Sequence, residues 1–511
     1  MARRGQRRRS RERERDNGGI RQLPWRRVVN PYAPVAVLTA DQLDAIHESS
    51  LRILEDMGIE MMSPDALRLL KDAGADVEAG SEMVRFDRGL VEQALETAPS
   101  SVTLTPRNPD HAVTIGGKNV AFGLVAGPPN VHDCERGRRQ GSLDDYCEIL
   151  SLAQSLNVIH LIGNQPVAPI ELPADTRHLD CYRANVRYTD RVYHCSAIGA
   201  ERALDGIDVM AIARGVTREA MIGSPGVLTI ISVNSPRRFD GAMAEGLIAM
   251  ARHGQAVVVT PFTLMGAMTP VTLPAALAQQ NAEALAGIVL AQAARPGAPV
   301  IYGAFTSNVD MRSGAPAFGT PENAKATIAA GQLARRYDLP YRSSNANASN
   351  VVDAQAAYES EMSLWSAIMG GTNLVYHGAG WLEGGLTASY EKIVLDAELL
   401  QMMAEFLAPV AVDEASLALD AIKAVDPGGH FFGSPHTMER YDTAFYEPML
   451  SDWRNYETWQ ETGEETATER ATKIWKELLA TYEQPPLDPA IAEALDAFIR
   501  RRKDEISREA A

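Results

Sequence analysis

Residues 372–395, TNLVYHGAGWLEGGLTASYEKIVL, decide how the chain is read. An apolar run over 373–376 ends in His377 and a glycine-spaced turn carrying Trp381 and Glu383. A helical pattern then begins near Leu386 and Thr387. A strand, a loop and a helix thus follow one another within one short segment. In strand–helix repeats such loops gather at the carboxyl ends of the strands, where ligands bind. Glycines alone make a plain turn. His, Trp and Glu in the same turn make it a candidate site.

The rhythm extends upstream. Short apolar runs lie at 120–126, 158–167, 191–198, 226–233, 256–264, 299–305, 341–345 and 372–376, the seventh being the most polar. Helical patterns fall near 142–156, 173–189, 201–214, 237–253, 275–294, 320–336, 352–369 and 386–407. Alternation with crossovers this long implies a parallel sheet, and eight such units match a closed (β/α)8 barrel. An open doubly wound sheet would leave unpaired edges. The expected fold is therefore α/β: a (β/α)8 TIM barrel over 120–407, with a mixed N-terminal extension over 31–119 and a mainly helical C-terminal appendage over 408–511. In the extension, Thr39 and the Ser63-Pro64 pair read as helix starts. The charged end, IRRRKDEISREA, reads as a solvated helix face.

Of the 511 residues, 45% are hydrophobic and 23% charged, as in ordinary soluble globular proteins. The net charge of −17 hides an asymmetry, since residues 1–27 carry eleven Arg against three acids. That start has almost nothing apolar to bury, so 1–30 is expected to be a disordered basic tail. It lacks the apolar core of a secretory signal. The acidic remainder argues against nucleic acid as a partner, and no run approaches the roughly 20 apolar residues of a membrane span. Four cysteines without CxxC spacing fit a reducing cytoplasm. The aromatic segment 441–459 makes a homo-oligomer a reasonable expectation.

The strand ends supply mostly amides and hydroxyls and little charge, a mouth suited to a neutral or cationic organic ligand. Trp381 and Phe262, with Tyr376 nearby, form a candidate aromatic box for a quaternary ammonium, each face contributing about 0.5–2 kcal/mol. Glu383 or Asp353 would add a compensating carboxylate. His132-Asp133-Cys134 and Tyr193-His194-Cys195 are weak zinc candidates, because neighbours in an extended segment point apart. No phosphate-cradling glycine loop and no nucleophile elbow is present.

Three motifs carry a resemblance: HGAGWLEGGLTASYEK (377–392), DAQAAYE (353–359) and PGGHFFGSPHT (427–437). With them the chain resembles the trimethylamine methyltransferase superfamily over roughly 30–485. That resemblance implies a TIM barrel that passes a methyl group from an amine to the cobalt of a separate corrinoid protein. The founding enzymes contain pyrrolysine, whereas this chain uses only the standard twenty residues. It is therefore similar to the non-pyrrolysine branch, which includes glycine betaine:corrinoid methyltransferases. The resemblance implies a quaternary amine substrate, a corrinoid (cobalamin) supplied by the partner, and no tightly bound cofactor or metal in this chain, which has no DxHxxG segment. On this reading, placement in the chain suggests roles: His377 and Glu383 in catalysis, with Glu383 alternatively a structural clamp on its own loop; Trp381, Phe262, Asn345, Asn347, Tyr376 and Asp353 around the substrate; His430 and Phe431 sealing the mouth or meeting the corrinoid protein. The competing expectations are a non-catalytic quaternary-amine-binding barrel and a zinc-dependent methyltransferase.

Overall fold

Eight parallel strands close into a ring in the computed structural model, which describes residues 20–509. They are β1 (Asn119–Leu124), β2 (Leu161–Ile162), β3 (Val192–His194), β4 (Val227–Val233), β5 (Ala256–Met265), β6 (Val300–Gly303), β7 (Tyr341–Ser344) and β8 (Leu374–Ala379). Each pairs with the next, and β8 returns to β1, so no edge remains open. Each strand is followed by a helix: α1 (Leu143–Ser155), α2 (Arg177–Tyr188), α3 (Ala200–Arg214), α4 (Gly241–Arg252), α5 (Leu273–Ala294), α6 (Pro321–Arg336), α7 (Ala354–Met369) and α8 (Tyr390–Phe406). The fold is the (β/α)8 barrel read from the sequence.

The strands are buried on both faces, which is why they read as continuous apolar runs. Alternate residues enter two cores. Ala121, Leu161, Val192, Leu228, Val258 and Ile301 meet inside the ring, while their neighbours pack under the helices. The hairpin Ser101–Leu104 and Val113–Gly116 adds Val102, Leu104, Val113 and Ile115 to the inner core and seals one end of the barrel. The opposite end, where the strands terminate, stays hollow.

Three readings are corrected. Residues 20–30 are ordered: Val28 pairs with Val120, and Ile20, Val28 and Asn30 are buried. Ile20, Leu23, Trp25 and Val28 give this segment the apolar anchors that the arginine run lacks, and residues 1–19 of the expected tail lie outside the described residues. Helix α8 starts at Tyr390 under a Ser389 cap, because Thr387–Ser389 is a strand paired with Trp381–Leu382 and with Asn130–Asp133. The charged C-terminal helix Pro489–Glu509 docks on α2 and α3, with Arg502 on Asp205 (2.7 Å) and Lys503 on Asp180 (2.6 Å). The preceding helix, Ala467–Ala480, buries Ala471, Trp475 and Leu478 against α1 and α8. No helix among the described residues is long and apolar enough to cross a membrane.

Candidate active site at the carboxyl ends of the strands

A cavity of about 620 Å³ occupies the hollow end of the barrel. Its wall begins with a defect in β8. The β1 pairing runs Val375 to Phe122 and then jumps to Ala379 with Leu124, so β8 carries extra residues at this point. In a regular strand Tyr376 and His377 would point to opposite faces. Here the bulge, with His377 at φ 55°, brings both to the cavity. A left-handed histidine costs about 1–3 kcal/mol and persists only where its surroundings hold it. Asn345 does so, donating from Nδ2 to the Gly378 carbonyl at 2.9 Å.

Hydrogen bonding fixes the protons in the cavity floor. His194 Nε2 accepts from the Ile230 backbone N–H at 3.1 Å, so in the neutral ring Nδ1 carries the hydrogen and donates to the Tyr376 hydroxyl. Burial first, and the Arg342 charge second, push the His194 pKa down to about 3 and keep the ring neutral. Tyr376 Oη also accepts from the Asn164 backbone N–H at 3.0 Å. Both its lone pairs are then engaged and its own hydrogen is unspent. At His377, Nδ1 accepts from Ser344 Oγ at 3.2 Å and faces Arg342 Nη2 at 3.5 Å. Burial, then the Arg342 charge, hold this imidazole well below the ordinary range. Nε2 is therefore the donor of the His377 ring.

The buried His194 makes stability depend on pH. Between about 6.5 and about 3 the unfolded imidazole takes up a proton that the folded one refuses, so this contribution is lost as pH falls. Relative to the native chain, His194→Gln is expected to flatten the acid limb of urea unfolding by up to about 1.4 kcal/mol per pH unit in that window. Parallel limbs would show that His194 titrates normally.

Arg342 stands on β7 in the same floor and is 1% exposed. Its guanidinium lies 5.3 Å from the Phe305 ring centroid and 5.2 Å from that of Tyr376. Its Nε and Nη1 are buried and make no hydrogen bond. Burial pushes its pKa down to about 10, which still leaves it charged at neutral pH.

The remaining wall is aromatic. Trp381, Phe262 and Phe305 line the cavity, with Phe318 stacked behind Phe305 at 5.3 Å. Trp381 meets Phe305 edge-on at 5.9 Å and His377 at 4.3 Å. Its indole Nε1 donates to the Asn347 carbonyl at 3.1 Å. Gly385, at φ 101°, lies against the indole, where an added Cβ would come within 2.5 Å of the ring.

Of the residues given ligand or catalytic roles from sequence, Tyr376, His377, Trp381 and Phe262 line this one cavity, and Asn345, Asn347, Asp353, Glu383, His430 and Phe431 do not. Asn345 and Asn347 spend their amide N–H groups on the Gly378 carbonyl and on Ser360, not on the cavity. Asp353 caps α7, accepting from the Gln355 and Ala356 N–H groups. Glu383 is held by Arg138 (2.8 and 3.1 Å) and Thr387 (2.6 Å), so it clamps its own loop. His430 and Phe431 are exposed and do not line the cavity. The expectation of a mouth short of charge overlooked Arg342, whose signal was a charged residue inside an otherwise buried strand. Within the zinc candidate, His194 faces the cavity while Cys195 turns to Met250. Among the described residues no group of three or more His, Cys, Asp or Glu side chains is placed to hold a metal ion.

The fold is that of a TIM-barrel protein, and its cavity lies at the carboxyl ends of the strands, where such barrels bind their ligands. The family model for trimethylamine methyltransferase matches residues 3–507, and the chain belongs to that family of methyltransferases. It is 39% identical to a glycine betaine methyltransferase of Desulfitobacterium hafniense strain Y51, an alignment spanning 93% of this chain and 98% of the relative. It is 29% identical to the trimethylamine methyltransferase MttB of D. hafniense strain DSM 10664 / DCB-2, over 92% of this chain and 95% of that one. A crystal structure of the hydroxylamine MtmB complex superimposes with a TM-score of 0.48 at 12% identity, covering 86% of this chain and 93% of the other.

Proposed function

We propose that the cavity binds a quaternary amine and presents one of its N-methyl groups to a separate corrinoid protein at the barrel mouth. The observation that carries this reading is an aromatic-walled chamber whose lining contains no carboxylate and no cysteine. Such a chamber attracts a permanent cation through the ring quadrupoles, and it is not built for carboxylate acid–base chemistry. The glycine betaine methyltransferase relative supports the same reading. The residues present fit a methyl acceptor brought from outside: the strand ends stay hollow, and rim residue Leu386 is 52% exposed.

The corrinoid supplies the nucleophile, a cobalt(I) centre that accepts the methyl group. The chain's own work is positioning and exclusion of water. Trp381 and Phe262 hold the ammonium so that one methyl points outward. As the C–N bond breaks, its electron pair stays on nitrogen and a neutral tertiary amine is left. The His377 Nε2–H helps orient the bound amine so that this methyl stays in line with the acceptor. Aromatic contacts exist already in the bound substrate and serve binding more than rate.

The test is product analysis. Incubation with glycine betaine and a reduced corrinoid protein is expected to release dimethylglycine in step with methyl transfer. Absence of a demethylated product across a panel of betaines would leave a binding protein instead. His377→Ala keeps a side chain of comparable backbone strain and removes the donor. It is expected to lower kcat roughly 10–100-fold with a smaller change in KM. An unchanged kcat would remove His377 from the reaction.

A further inference from the structure

The cavity floor contains a charge that the quaternary-amine reading does not use. Arg342 is buried and lies beside the Phe305 and Tyr376 rings, with two of its nitrogens unbonded. No Asp or Glu lines the cavity, and Arg342 enters no ion pair among the described residues. Glu283, the buried acid behind the rim, is engaged by Ser235, by the Arg237 backbone N–H and by Gln279. Buried polar groups are as a rule hydrogen-bonded, and buried charges paired. A guanidinium left so at a cavity wall lacks an anion.

A second donor stands beside it. The hydroxyl hydrogen of Tyr376 is unspent, because both lone pairs accept from fixed partners, Asn164 N–H and His194 Nδ1. Arg342 and the Tyr376 hydroxyl therefore offer donors to the cavity that Trp381 and Phe262 also line, while Phe305 carries the guanidinium over its ring at 5.3 Å. Donors without an acceptor, in a chamber that also holds cation-attracting rings, make it bipolar.

We propose that Arg342 is the anion anchor of this site, and that the bound amine is a zwitterion whose carboxylate lies on Arg342 and the Tyr376 hydroxyl while its quaternary ammonium faces Trp381 and Phe262. The proposal rests on the reading of the cavity as a quaternary-amine site and narrows the substrate to compact betaines. Planar, forked guanidinium donors match a carboxylate bidentately, which an ammonium group does not reproduce. The same charge excludes amines without an acid group. Two like charges about 6 Å apart at an effective dielectric near 20 lose roughly a hundredfold in binding. Simple methylated ammonium ions are therefore rejected by the floor even though the aromatic wall suits them.

Equilibrium binding of glycine betaine, choline and tetramethylammonium to the full chain tests this without any methyl acceptor. The native protein is expected to prefer glycine betaine to both carboxylate-free cations by roughly a hundredfold. Arg342→Met is expected to lose glycine betaine binding roughly a hundredfold or more and to gain affinity for choline. Arg342→Lys, which keeps the charge and loses the fork, is expected to fall between them. Equal binding of betaine and choline by the native protein, which requires no variant to fold, overturns the proposal. So does an Arg342→Met protein that retains both betaine affinity and selectivity. Failure of the wider reading looks different: betaine binds selectively through Arg342, yet no demethylated product appears with a reduced corrinoid protein.

Discussion

Trp381→Ala is expected to lower kcat/KM for the amine about 30-fold, with most of the change in KM. The indole is 6% exposed, lines the cavity and stands edge-on to Phe305 at 5.9 Å. A desolvated cation over a tryptophan face gains about 2 kcal/mol, which is roughly a factor of thirty. Truncation also leaves a void beside Gly385, whose missing Cβ makes room for this ring. Trp381→Phe keeps a face but loses the Nε1 bond to the Asn347 carbonyl, so an intermediate effect is expected. Steady-state kinetics on the three proteins decide the matter. Unchanged KM in Trp381→Ala would take the indole out of the cation's surroundings.

The second large effect lies beneath the same loop. Lys392 and Asp396 are both fully buried on α8 and form an ion pair one helical turn apart. Asp396 also accepts the Gly380 backbone N–H at 2.8 Å, and Lys392 donates to Ser360 Oγ at 2.7 Å. Ser360 in turn accepts from Asn347 Nδ2, and the Asn347 carbonyl receives the Trp381 indole N–H. The pair thus holds Gly380 directly and the Trp381 indole through Ser360 and Asn347. Asp396→Ala leaves a buried ammonium without a counter-charge and is expected to cost about 3–5 kcal/mol in urea unfolding. The double variant Lys392→Met/Asp396→Ala removes the orphaned charge and is expected to recover most of that loss. A single variant within about 1 kcal/mol of the native chain would mean that water reaches the pair.

The fold was legible because barrel strands buried on both faces are apolar throughout and recur at a steady spacing. Even polar β7 was recoverable, since Tyr341 and the rhythm on either side placed it. The site was legible only in part. Trp381, His377, Tyr376 and Phe262 sit at strand ends, where position alone nominates them. Arg342 sits earlier in its strand and was passed over, although a lone arginine between buried neighbours is a costly residue to keep without a use. The β8 bulge could not be read, because nothing in a residue string says that Tyr376 and His377 share a face. In the sequence Glu383 stays open between a ligand carboxylate and a clamp on its own loop, and Asp353 reads as a ligand carboxylate, for a related reason. A carboxylate near a ligand loop serves equally well as a loop clamp or a helix cap, and only the partners Arg138 and the α7 N–H groups distinguish these uses.

The crystal structure of the complex with glycine betaine is the most direct test of the account. It is expected to show the ligand in the barrel-end cavity, its trimethylammonium against Trp381 and Phe262, with one methyl turned toward the open rim. A ligand bound outside this cavity, or with its methyl groups turned away from the rim, would contradict the account.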